Sequence, residues 1–363
     1  MKDKIIDLLT ILLPMTVVAG VLIAMCVTPE SAYSLSERRM LTQKPELNRE
    51  NVTNGKYMEA FEAYTLDQFP KRDSFRKLKA DIDLKLFRMK DNHGYYLAEG
   101  YLSKLAFPIN EKRLAQSISK QQQLYDHYLK GTDCRIYYSI IPDKNYFLAS
   151  ENGYPSIDYA AYVQRVQSAV AYGSYIDLFD CLCLTDYYRT DPHWRQEKLG
   201  GVVDRIREEM NMDSSEERTY NEHTVETPFY GAYYGKTAWD VPADQLVYLT
   251  SDEMKDWTVT SYNTGTIKKA FLYDMDKAAG RDPYEMFLNG SDALLTIENP
   301  HAENGRELLV FRDSFGSSLV PLLADAYEKV TLIDLRYIRS EVLGQYVTFD
   351  NQDVLFIYST LVF

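Results

Sequence analysis

The sequence predicts an α/β fold, with a central and mainly parallel sheet between helical layers and one membrane-spanning helix ahead of it. Short continuous apolar runs such as Leu308-Leu309-Val310-Phe311 read as strands buried on both faces. They alternate with segments of helical periodicity, the pattern of a parallel sheet covered on both sides. Leu8–Val27 is 20 residues long, carries no charge and is rich in Leu, Ile and Val, enough to cross a hydrocarbon layer.

The elements follow in order. Lys2 and Lys4 precede the apolar segment and suit a cytoplasmic start, so residues 1–27 read as a cytoplasmic start and membrane anchor. A cleaved signal peptide is the alternative. Met25 sits where cleavage or lipidation at Cys26 wants a small residue, which favours an uncleaved anchor. Residues 28–60, polar and punctuated by Pro29 and Pro45, read as a tether, and 61–363 as the main folded domain. Tyr57 to Phe87 is helical with a break at Pro70, and His93 to Leu102 is a glycine-punctuated hairpin. Helices are expected at 114–129, 159–172, 195–210 and 315–327. Strands are expected at 135–141, 175–179, 293–297, 307–311, 330–335 and 354–358, and an irregular region over roughly 215–265.

Composition narrows the function. At 363 residues and 45% hydrophobic, the chain can fill a large core. A formal net charge of −13, with only short basic runs, argues against nucleic acid as a partner. The 30 tyrosines read as strand filling, or as a surface that stacks on sugar rings. Beyond the anchor the only cysteines are Cys134, Cys181 and Cys183, too few for a disulfide framework. The Cys181/Cys183 pair lacks the partners of a zinc site, so core filling is expected and no metal.

Two stretches carry chemistry. In Val310-Phe311-Arg312-Asp313-Ser314-Phe315-Gly316 a buried strand gives way to a tight turn and a helix. Ser314 thus falls at the carboxyl end of a sheet strand, where open α/β sheets bind ligands. Its backbone N–H is the natural first donor to a developing oxyanion; a plain helix cap is the other reading. Of five histidines, His193 stands out in Thr190-Asp191-Pro192-His193-Trp194. Asp191, two residues earlier, can orient the imidazole, and Trp194 can shield the pair from water. A loop histidine bonded to its neighbour is the alternative.

The Asp191-Pro192-His193-Trp194 segment resembles the signature of the DHHW family, with Pro192 where that name has its first His. Arg312-Asp313-Ser314-Phe315 resembles the Gly-Asp-Ser motif of SGNH hydrolases. Together they resemble the exported SGNH-like acetyltransferases of polysaccharide modification, including the alginate O-acetylation proteins. Further matches are Asp67-Gln68-Phe69-Pro70-x-Arg72-Asp73, Gly94-Tyr95-Tyr96-Leu97 and Ile333-Asp334-Leu335-Arg336-Tyr337.

The resemblance implies a flavodoxin-like three-layer α/β/α domain with permuted motif order: Asp and His precede Ser. It makes Ser314 the nucleophile, His193 the base and Asp191 its orienter. Arg312 replaces the usual Gly, which could alter the turn or offer a cation. Trp194, Arg312, Arg336, Tyr230 and Tyr234 are candidate substrate-side residues. The implied activity is transfer of an acetyl group onto hydroxyls of an exopolysaccharide through a Ser314 acyl-enzyme. A multipass membrane acyltransferase would supply the donor, with no cofactor. The domain would lie outside the cytoplasm, held by a single-pass anchor in the cell membrane. A carbohydrate acetylesterase using the same site and a non-catalytic polysaccharide-binding scaffold are the alternatives.

Overall fold

A computed structural model describes residues 2–34, 36–212, 219–263 and 266–362, with the side chains of 2–5 excepted. The chain divides into two compact units. The first comprises Met1–Asn92 with Tyr234–Asp240, the second His93–Tyr233 with Val241–Phe363.

The first unit opens with helix α1 (Lys2–Val27). Its stretch Ile6–Val27 has a mean hydropathy of 2.5 and no buried surface. It is long and apolar enough to span a membrane or to serve as a signal sequence. A two-residue strand pair follows, β1 (Tyr33–Ser34) and β2 (Arg39–Met40), then α2 (Arg49–Thr53), α3 (Lys56–Asp67) and α4 (Arg72–Asp81). The segment expected as a free tether is therefore pinned. Asp67 accepts from Arg39 Nη1 and Nη2 at 2.8 and 2.5 Å and from the Thr42 N–H at 2.9 Å. The Arg39 guanidinium holds its carboxyl well below the usual range. Glu37 pairs with Arg72 and, at 3.4 Å, with Arg76. α3 and α4 contribute their charged groups to this network, and the second unit begins at His93.

The second unit carries a hairpin, β3 (Tyr95–Ala98) and β4 (Tyr101–Lys104), then α5 (Glu111–Leu124), β5 (Arg135–Ile141), α6 (Lys144–Leu148), α7 (Tyr159–Ala169), β6 (Ser174–Ile176) and α8 (Gly200–Glu209). The region expected to be irregular holds β7 (Asn221–Thr224), β8 (Val247–Thr250) and β9 (Thr258–Ser261), and β10 (Lys268–Ala270) follows just beyond it. The region also holds α9 (Ala232–Thr237), through which the chain passes into the first unit. β7, β9 and β10 are short and polar, with no sustained apolar run to betray them, whereas β8 lies in the apolar run Leu246-Val247-Tyr248-Leu249. The remainder is α10 (Met275–Ala278), β11 (Leu294–Glu298), β12 (Glu307–Arg312), α11 (Gly316–Leu319), β13 (Lys329–Ile333) and β14 (Asp353–Ser359).

Eight strands form the central sheet in the order β10-β9-β11-β13-β12-β14-β5-β6. From β13 to β6 every neighbouring pair is parallel, while β11, β9 and β10 add antiparallel pairs at one side. Buried clusters line both faces: Leu308, Val310 and Phe315 on one, Leu309, Phe311 and Phe356 on the other. The three-layer expectation holds. The helix expected over 315–327 is a single α-turn followed by 3₁₀ turns at 320–322 and 324–326. Pro321, which has no N–H to give, lies where the ladder fails. Cys134 and Cys181 are half-buried and pack against the core clusters, whereas Cys183 is exposed, so core filling fails for Cys183.

Candidate active site

β12 lies between β13 and β14 and is parallel to both, so the residues after Arg312 emerge at the carboxyl edge of the sheet. Asp313 builds the turn there. Its fully buried carboxylate accepts from the Phe315 N–H at 3.0 Å and from the Ser359 N–H and hydroxyl at 2.8 and 2.7 Å. Ser314 is thereby held between its own strand and the end of β14. Its backbone N–H donates to no described acceptor. Gly316 is required by space, since a Cβ there would lie 2.7 Å from Arg312 Cβ.

His193 arrives from a loop closed by a Tyr187–Trp194 bridge and by the Tyr188 N–H donating to the His193 carbonyl at 3.0 Å. His193 Nε2 lies 2.7 Å from Ser314 Oγ, and Nδ1 lies 2.5 Å from Asp191 Oδ1. With Nδ1 protonated toward the carboxylate, Nε2 is free to accept the serine proton. Asp191 is buried and its other oxygen accepts the Ala232 N–H at 2.8 Å. The imidazole stacks on Tyr284, ring centroids 3.8 Å apart and 7° from parallel, and meets Phe315 on a tilt at 4.8 Å. Burial drives the Tyr284 phenol far above its usual range, so it stays neutral, bonded to Ser318 at 2.8 Å.

Three distant segments clamp this loop. Asp244 accepts the Arg189 and Thr190 N–H groups at 2.8 Å each, along with the Thr190 hydroxyl. Gly231 donates to Thr190 Oγ1 at 2.9 Å and packs so closely that a Cβ would lie 2.2 Å from Asp191 Cβ. Lys144, at the carboxyl end of β5, is fully buried. Its Nζ donates to the carbonyls of Tyr188 and Arg189 at 2.8 and 3.2 Å and lies 5.1 Å above the Tyr233 ring. Burial pulls this lysine down to about 7, partly opposed by Asp191, Asp244 and Asp143.

The two stretches singled out in the sequence, 100 residues and more apart, are thus brought together. The other candidates divide. Trp194 is fully buried, and its indole N–H donates to the Phe315 carbonyl and to Ser318 Oγ at 3.1 and 2.9 Å, so it supports the serine turn rather than facing a ligand. Arg312 is equally buried, 3.5 Å from Asp334, and burial lowers its basicity; the cation offered to substrate is instead internal. Arg336 is exposed and bonded to Asp334 at 2.6 and 2.9 Å. Tyr230 is exposed, while Tyr234 belongs to the N-terminal unit, where Lys77 lies 6.0 Å over its ring. Sequence reasoning missed Tyr284, Asp244, Gly231 and Lys144. Only Lys144 carried a signal: a charged residue just past the carboxyl end of a buried strand. Among the described residues, no group of three His, Cys, Asp or Glu side chains could hold a metal ion.

Residues 177–333 match the model of the DHHW protein family. The DHHW segment covers the His193 loop and the Ser314 turn, bearing out the resemblance read from Asp191-Pro192-His193-Trp194. A DHHW family protein of Eubacterium siraeum DSM 15702 has a similar structure, with a TM-score of 0.58 and 20% identity over 74% of this chain and 90% of that one. Bacillus cereus PatB1 carrying a sulfonyl adduct is similar at a TM-score of 0.57 and 22% identity, over 74% of this chain and 95% of that one. At these identities the likeness shows the fold. No curated protein matches the sequence.

Proposed function

We propose that this DHHW protein is an acyltransferase that moves acetyl groups onto polysaccharide hydroxyls outside the cytoplasm, with Ser314 as nucleophile, His193 as base and Asp191 as its orienter. The carrying observation is the unbroken relay from Asp191 through both imidazole nitrogens to Ser314 Oγ. In the proposed reaction Ser314 Oγ attacks the acetyl carbonyl carbon as Nε2 takes its proton. The unpartnered Ser314 N–H faces the developing oxyanion. The intermediate collapses, the donor's leaving group departs with the proton from the imidazolium, and an acetyl-serine remains. A sugar hydroxyl then gives its proton to His193, its oxygen attacks the acetyl carbon, and Ser314 Oγ leaves with that proton.

Export and anchoring are supported by the apolar helix over Ile6–Val27. We place the acetyl donor with a multipass membrane acyltransferase and the acceptor with an exopolysaccharide. PatB1 is known with a sulfonyl adduct, and by analogy phenylmethylsulfonyl fluoride should label Ser314 of this chain. The test is turnover of p-nitrophenyl acetate with and without oligosaccharide. Acetyl transfer to the sugar, abolished in Ser314→Ala, supports the reading. Acetate release that no acceptor diverts would assign the site to an esterase. Wild-type turnover equal to that of Ser314→Ala would remove the enzyme altogether.

A further inference from the structure

A second cavity opens on the face of the sheet away from the His193 loop. Its floor includes Tyr358 and Leu335, which pack with the Phe311–Phe356 cluster, whereas Trp194 and Phe315 belong to the opposite one. One wall is α5, whose Arg113, Ser117, Lys120 and Gln121 recur at three- and four-residue steps and so share a face. Arg336 closes the other side from the carboxyl end of β13. The volume is about 180 Å³, well beyond one water and below the range of drug-sized ligand pockets.

The charge distribution is unusual for this chain. Acidic residues outnumber basic ones, giving a net charge of −13, yet no Asp or Glu among the described residues lines the cavity. Among the described residues, the guanidinium of Arg113 and the ammonium of Lys120 make no hydrogen bond or ion pair. Arg336 gives Nε and Nη2 to Asp334 and stacks 5.4 Å from Tyr337, which leaves Nη1 unused. Three cations gathered at one opening repel each other, so the arrangement favours an anion between them. A second observation concerns Gln121. It lines the same cavity at 3% exposure, and its Oε1 has no partner, an acceptor suited to a ligand hydroxyl. Ser117 adds a hydroxyl, spent only on a 3.5 Å contact with the Val362 carbonyl.

We infer that this cavity binds an oxyanion borne on a hydroxylated ligand, with Arg113, Lys120 and Arg336 around the charge and Gln121 accepting from a hydroxyl. The oxyanion is a carboxylate of a sugar acid or a phosphate. The site is separate from the Ser314 turn, and its occupancy does not depend on the acyl-transfer reading.

The test is calorimetric titration of the detergent-solubilised full chain at low ionic strength with sodium galacturonate, inorganic phosphate and galactose. Saturable binding of either oxyanion, with galactose at least about tenfold weaker, is expected, and the tighter oxyanion names the source. Arg113→Gln and Lys120→Gln should each weaken binding about tenfold, Lys120→Arg should retain it, and added salt should weaken it. Both residues are exposed helix positions and glutamine is a good helix former, so folding is preserved. Turnover of p-nitrophenyl acetate by these variants should match the parent. Failure of both oxyanions to saturate, galactose binding as tight as galacturonate, or undiminished binding in the Arg113→Gln/Lys120→Gln double variant would overturn the inference.

Discussion

Lys144→Met isolates the buried ammonium behind the His193 loop. Methionine keeps most of the unbranched stem and removes the charge and its two bonds to the Tyr188 and Arg189 carbonyls. The sign of the pH effect follows from proton counts. In the unfolded chain the lysine holds its proton up to its ordinary value of 10.5, whereas in the folded chain burial releases it at about 7. Between those values the unfolded state binds more protons, so stability rises with pH. Integrated from pH 7 to pH 9, Lys144 adds about 2 kcal/mol. Below pH 7 both states hold the proton and the effect is flat. Other groups titrating in this window cancel when parent and variant are subtracted. The assay is thermal unfolding of the detergent-solubilised chain at pH 7, 8 and 9, followed by near-ultraviolet circular dichroism. The gap between the two proteins should shift toward the parent by that amount. Parallel stability curves for the two proteins would refute the account of an ammonium whose burial outweighs the pull of Asp191, Asp244 and Asp143.

Four further outcomes are expected. Gly231→Ala forces its new methyl into Asp191, so it should destabilise by roughly 1–3 kcal/mol and lower kcat with p-nitrophenyl acetate, read by thermal melts and steady-state rates. Asp191→Asn should leave the fold intact and reduce kcat by about 10³–10⁴, because the imidazole loses the partner that fixes its tautomer. Asp313→Ala orphans two donors of Ser359 and should cost about 2–4 kcal/mol in denaturant unfolding. Asp67→Asn loosens the Arg39 clamp, so segment 28–60 should become open to limited proteolysis while the sheet unit resists; an unchanged digestion pattern would count against the clamp.

The sheet was legible because its central strands carry unbroken apolar runs. Residues 135–141 were bounded as observed, and β12 ran one residue further than expected, to Arg312. The short polar strands β7 and β9 were not, since they owe their pairing to neighbours rather than to their own pattern. At the site, the Asp191–His193 spacing and the strand-turn text around Ser314 were local and readable. Tyr284 and Asp244 were not, because their contacts with His193 and Thr190 span 91 and 54 residues and follow no periodicity. Trp194 and Arg312 stood as substrate-side candidates through their place in the two motifs, and tertiary burial overrode that reading.

The tie between Asp313 and Ser359 sets a schedule. Synthesis delivers the Ser314 turn before β14, whose tip holds that turn in shape. In a partly made polypeptide the turn therefore lacks its brace, which arrives only when the late strand slots in between β12 and β5.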